Sequence, residues 1–121
     1  MIEELISRVF VTRNAAHLAH WRAKGPGSFA RHMALGDFYD NIIDALDKIV
    51  ELHQGAFGLI EEMDPPGGKM PKDIAEHIGE EANWLQDNRS EIAGDVCAIE
   101  NVVDELAGIY LTAYYKLRNL S

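Results

Sequence analysis

Apolar residues recur through this chain at gaps of three and four, with no stretch of strict alternation, and that period predicts helices. From residue 2 to 22 the positions Ile2, Leu5, Val9, Ala16 and Ala19 share one stripe, and neither proline nor glycine intervenes before Gly25. Gly25, Pro26 and Gly27 end this first helix, and Ser28 is placed to cap the next. The second helix, 29 to 53, carries Leu35, Phe38, Ile42, Leu46 and Ile49 on one side. Residues 55 to 70 hold Pro65, Pro66, Gly67 and Gly68 and read as an irregular connector with a helical turn near Leu59. Pro71 suits the first position of a third helix, 71 to 86, with Ile74, Ile78, Ala82 and Leu85 as its stripe. A fourth, 90 to 118, has the most regular period: Ile92, Val96, Ile99, Val103, Leu106, Tyr110, Ala113 and Leu117. Gly94 and Gly108 lie inside it, where each costs about 1 kcal/mol unless helices approach closely there. The expected fold class is all-α: one domain, 1–121, folded as an antiparallel four-helix bundle of two hairpins.

The second helix also carries an acidic row. Asp37, Asp40, Asp44, Asp47 and Glu51 follow one another at gaps of three, four, three and four. Like charges so spaced repel by a few tenths of a kcal/mol per pair, so the row needs water or a cation. Water is the simpler expectation for Asp40 and Asp44.

Composition narrows the function classes. Twenty acids against eleven bases give net charge −9, which repels nucleic-acid phosphates, so direct DNA binding is not expected. No apolar run reaches the roughly 18 residues needed to span a membrane. The N-terminal stretch has two acids before its first base, the reverse of a signal peptide, so the cytoplasm is the expected compartment. Cys97 is the only cysteine, which excludes an internal disulfide and a cysteine-based zinc cluster; it reads as a small buried hydrophobe. At 121 residues the domain is small enough for a partner subunit to add useful apolar burial.

Four residues suggest metal chemistry. A short turn brings His20 and His32 to one end of the bundle, and Asp47 and Glu51 stand one helical turn apart. Imidazole with carboxylate suits Fe(II), Mn(II) or Zn(II) better than Ca or Mg. Yet His32 and Asp47 are fifteen residues apart on one helix, about 22 Å at 1.5 Å per residue. One chain cannot bring all four to one ion. Two antiparallel copies of the second helix across a two-fold axis can, and would give two equivalent sites, each with His20 and His32 from one chain and Asp47 and Glu51 from the other.

The residues "AHWRAKGPGSFARH" followed by "FYDNIIDALDKIVE" resemble the first hairpin of Dps-type miniferritins in the ferritin-like superfamily, over about residues 14 to 54. The resemblance implies that His20, His32, Asp47 and Glu51 are ferroxidase ligands and that Trp21 is the tryptophan beside that centre. It also implies oxidation of Fe(II), preferentially by hydrogen peroxide, to Fe(III) mineral inside a twelve-subunit cage in a bacterial cell. The second half, "ENVVDELAGIYLTAYYKL", is similar to short ferritin-like proteins encoded by bacteriophages. One position departs from the family. The usual carboxylate four residues after the second histidine is Gly36 here, and Asp37 lies about 100° further round the helix. Two expectations follow: a homodimeric metal-binding protein with Fe, Zn or Mn between subunits, or a non-catalytic dimeric scaffold or adaptor that has lost the metal. His17, His53 and His77 are expected to be structural, and Glu100 and Asp104 merely solvated.

Overall fold

The computed structural model describes residues 1–121, and all its regular elements are helices. α1 spans Ile2–Arg22, α2 Ser28–Phe57, α3 Ile74–Asp87, α4 Arg89–Ala93 and α5 Cys97–Asn119. α2 packs against both α1 and α5, α3 packs mainly on α5, and α1 meets α3 along a narrower seam. The stripes converge on one core. Leu5, Leu35, Ile42, Ile49, Ile78, Ala82, Ile99 and Leu106 have no exposed surface, and Phe38 meets Tyr110 edge to face across the interior, 4.9 Å between centroids. Each such large side chain contributes about 1.5–3 kcal/mol through removal from water. The acidic row of α2 lies outside this core, exposed from Asp37 to Glu51. No helix is long and apolar enough to cross a membrane.

The unbroken helix expected over 90 to 118 does not form. Gly94, at φ 56°, ends α4 in the left-handed region, Asp95 follows at φ 65°, and the extended Val96 precedes α5. Glycine resists the helix interior but adopts the left-handed region without steric cost, so the chain uses it as a stop. Phe57 reinforces the choice, since a Cβ on Gly94 would come within 2.8 Å of its ring. The break leaves Val96 half-buried and turns Cys97, expected inside, to the surface. It also gives Glu100 and Asp104 a task beyond solvation. Arg89 donates to Glu100 at 2.8 Å and to both carboxylate oxygens of Asp104 at 2.7 and 2.9 Å, pinning α4 to α5.

Other boundaries shift for local reasons. α2 runs on through Gly55 to Phe57, beyond residue 53. α3 begins at Ile74, after Pro71, because the Asp73 carboxylate accepts from the Glu76 N–H at 3.1 Å and caps the helix. The connector has no helical turn near Leu59. Gly27, at φ 77°, takes the N-cap position of α2 that Ser28 was expected to fill, and Ser28 becomes the first helical residue.

Candidate metal centre at the hairpin between α1 and α2

The turn between α1 and α2 is closed by Gly25 and Gly27, both at positive φ, with the Ser28 N–H donating to the Gly25 carbonyl at 3.0 Å. This tight reversal sets the last turn of α1 beside the first turns of α2. His20 and His32 meet there and hold each other in place. His20 Nδ1 lies 2.7 Å from the His32 carbonyl, and His32 Nδ1 lies 3.0 Å from the His20 carbonyl. A carbonyl only accepts, so both Nδ1 atoms carry the proton and, in the neutral rings, both Nε2 atoms carry a lone pair. The second bond also satisfies one of the carbonyls that the end of α1 leaves without an intrahelical partner. Neither Nε2 has a protein partner, and neither is a buried orphan; the only buried unpaired side-chain atom is His53 Nδ1.

Ring geometry limits what this pair can do. The imidazoles stack with centroids 3.6 Å apart and planes 18° from parallel. A metal–imidazole bond lies in the ring plane at about 2.0–2.1 Å. Two near-parallel planes this far apart share no point that close to both nitrogens. As arranged, each ring can serve its own ion, whereas one ion held by both requires a ring to rotate.

Gly36 accounts for the stack. A Cβ at this position would meet His20 Cε1 at 3.2 Å and Nδ1 at 3.4 Å, so the imidazole occupies the space where a side chain at position 36 would begin. Further along the same face, His17 stacks on Tyr39 at 4.0 Å and touches Trp21 at 4.4 Å, while Tyr39 meets His20 edge-on at 5.3 Å. Partial loss of water, then the charges of Arg13 and His20, hold His17 below the ordinary histidine range. Trp21 is two-thirds exposed, at 67%. It is therefore no core anchor.

Asp47 and Glu51 are exposed and line a second groove, about 420 Å³, with Phe10 and Val50 as part of its apolar wall. The ion pairs of α2 are made instead by Asp37 with Lys116 and Lys48 with Glu105. The structure thus brings His20 to His32 and Asp47 to Glu51, and keeps the two pairs at opposite ends of the α1 and α2 packing. Within one chain no three His, Cys, Asp or Glu side chains converge.

The core holds a polar chain that the sequence reading passed over. Thr12, 1% exposed, lies 3.0 Å from His77 Nε2 and beside the buried Tyr110. Burial first, and Glu81 second, push the Tyr110 phenol far above its usual range, against a smaller opposing effect of Thr12. The available signal was Thr12 itself, a polar residue at a stripe position between Val9 and Ala16.

These features define an all-helical protein whose most developed polar chemistry is a mutually anchored histidine pair at a hairpin turn. Residues 20–117 match DUF5856, a family of unknown function, and the chain belongs to that family. No curated protein and no solved structure matches it.

Proposed function

We propose that this chain is a ferritin-like four-helix bundle that dimerises through its α1 and α2 face and binds a first-row divalent metal between subunits, with Fe(II) foremost and Zn(II) or Mn(II) as alternatives. The observation that carries this reading is the reciprocal pair of Nδ1-to-carbonyl bonds at His20 and His32. Fixing one ring nitrogen on a backbone carbonyl is the second-shell device that presents the other nitrogen to a metal. Asp47 and Glu51 supply hard oxygen donors free of competing ion pairs on the same helix. In an antiparallel dimer the histidine end of one chain faces the carboxylate end of its partner, and stacked rings suit two neighbouring ions better than one shared ion. Oxidation of bound iron by peroxide, and a twelve-subunit cage, are what the miniferritin resemblance adds; these residues by themselves speak for binding.

A second reading, a metal-free dimeric scaffold, is favoured by Gly36, which supplies no carboxylate and lets the rings lie flat on each other. Complementation separates the two. A His20→Ala, His32→Ala chain and an Asp47→Ala, Glu51→Ala chain should each fail to develop the visible absorption of bound Co(II). Mixed and refolded together, they should recover about half the wild-type signal per heterodimer, because one of its two sites is intact. A well-folded mixture with no recovery would reject the shared site and favour the scaffold.

A further inference from the structure

We infer that the groove between the end of α1, the start of α2 and the approach to α3 docks a short acidic segment of a partner protein through an apolar anchor. The groove, about 530 Å³, is lined by Arg22, Lys24, Arg31 and Lys72 over a floor that includes Leu18 and Met70, with no acidic residue in its wall. Four of the chain's eleven bases gather here in a protein of net charge −9. None of the four is in an ion pair; the bridges of the molecule use Arg8, Lys48, Arg89, Lys116 and the N-terminal amine instead.

Local stability does not explain their placement. Arg22 suits the negative end of α1. Arg31 stands in the opening turns of α2, which has no acid in its first turn, and Lys72 precedes the cap of α3; both lie near positive helix ends, where a base is unfavourable. An anionic ligand offsets that cost. The rest of the surface restricts its size. With these four set aside, seven bases face twenty acids, so a long polyanion reaching past the groove meets repulsion. The apolar floor in turn calls for an aliphatic side chain between the carboxylates. An acidic peptide with a leucine-like anchor meets both conditions, and a nucleic acid meets neither. This inference is independent of the metal reading.

A fluorescein-labelled octapeptide alternating Glu and Leu is the probe, read by fluorescence anisotropy on the full chain at low and high salt. The expected result is saturable, salt-sensitive binding, weakened roughly tenfold by Arg31→Ala with Lys72→Ala, circular dichroism confirming that the variant folds. Replacing Glu by Gln, or Leu by Ala, in the peptide should each weaken binding at least as much. Equal binding of the Ala peptide or of an eight-nucleotide thymidine strand would overturn the proposal in favour of general anion attraction. Absence of peptide binding would overturn it too. If that absence came with wild-type self-association lost in the double variant, the groove would belong to a second copy of the chain.

Discussion

Replacing Gly36 tests the geometry of the histidine pair directly. In Gly36→Ala the added Cβ presses on the His20 ring at 3.2 and 3.4 Å. A few tenths of an ångström of ring movement relieves this, and the 2.7 Å bond to the His32 carbonyl lengthens without leaving hydrogen-bond range. Alanine gains about 1 kcal/mol over glycine inside a helix. The expected net change is therefore a gain of up to about 1 kcal/mol with both Nδ1 protons retained. Gly36→Val adds two methyl groups to the same space and drives the ring off its carbonyl. The His20 bond to the His32 carbonyl, about 1 kcal/mol, is lost, and valine returns about 0.4 kcal/mol of helix propensity. The variant should be about 0.6 kcal/mol less stable than wild type, and so about 1.5 kcal/mol less stable than the alanine variant. Urea unfolding gives the stabilities, and long-range proton–nitrogen NMR of the histidine rings reports whether Nδ1 stays protonated in both. A valine variant as stable as the alanine one, with wild-type ring spectra, would show that His20 does not lie over Gly36 and would remove the basis for the anchored pair.

Gly94→Ala should cost about 1–2 kcal/mol for left-handed backbone alone, and more from displacement of the Phe57 ring, as measured by thermal or urea unfolding. Thr12→Val should cost about 0.5–1.5 kcal/mol by removing the buried hydroxyl that pairs with His77 Nε2 at 3.0 Å, read from urea midpoints. The Asp104 carboxyl is held below its ordinary range chiefly by the hydrogen bond from Arg89. Because the folded state binds that proton more weakly than the unfolded chain, the contribution is present above about pH 4 and fades as pH falls through the lowered value. Arg89→Met should flatten this part of the acid limb below about pH 4, followed by urea midpoint against pH.

Which parts were legible in the sequence follows from which forces are local. The stripes of α1, α2 and α3 and most of α5 were readable because burial acts on side-chain period, and every stripe position named on α2 and α3 is buried. The break at Gly94 was not, because the four-three period continues through it: Ile92 and Ile99 are both buried although the backbone between them is not helical. What favours the break over a continuous helix is the left-handed turn at Gly94, reinforced by Phe57, a residue far along the chain that sits on the glycine. Glu100 and Asp104 were read as solvated for the same reason, since the Arg89 that engages them comes within reach only once α4 folds back.

At the hairpin the spacing of His20 and His32 announced their proximity, but proximity left the chemistry open. Rings that meet edge to edge could chelate one ion, and rings that stack cannot. The difference is set by Gly36, whose missing side chain reads in the sequence only as an absent carboxylate. In three dimensions it is the floor on which His20 rests, and the His20 bond to the His32 carbonyl is made from that seat. The same residue that weakens the case for a single shared ion thus seats His20 with its Nδ1 on the His32 carbonyl and its Nε2 free for a ligand. The choice between a working centre and a bare scaffold therefore turns on whether Asp47 and Glu51 of a second chain reach those two nitrogens, which is the contact the mixed-variant dimer isolates.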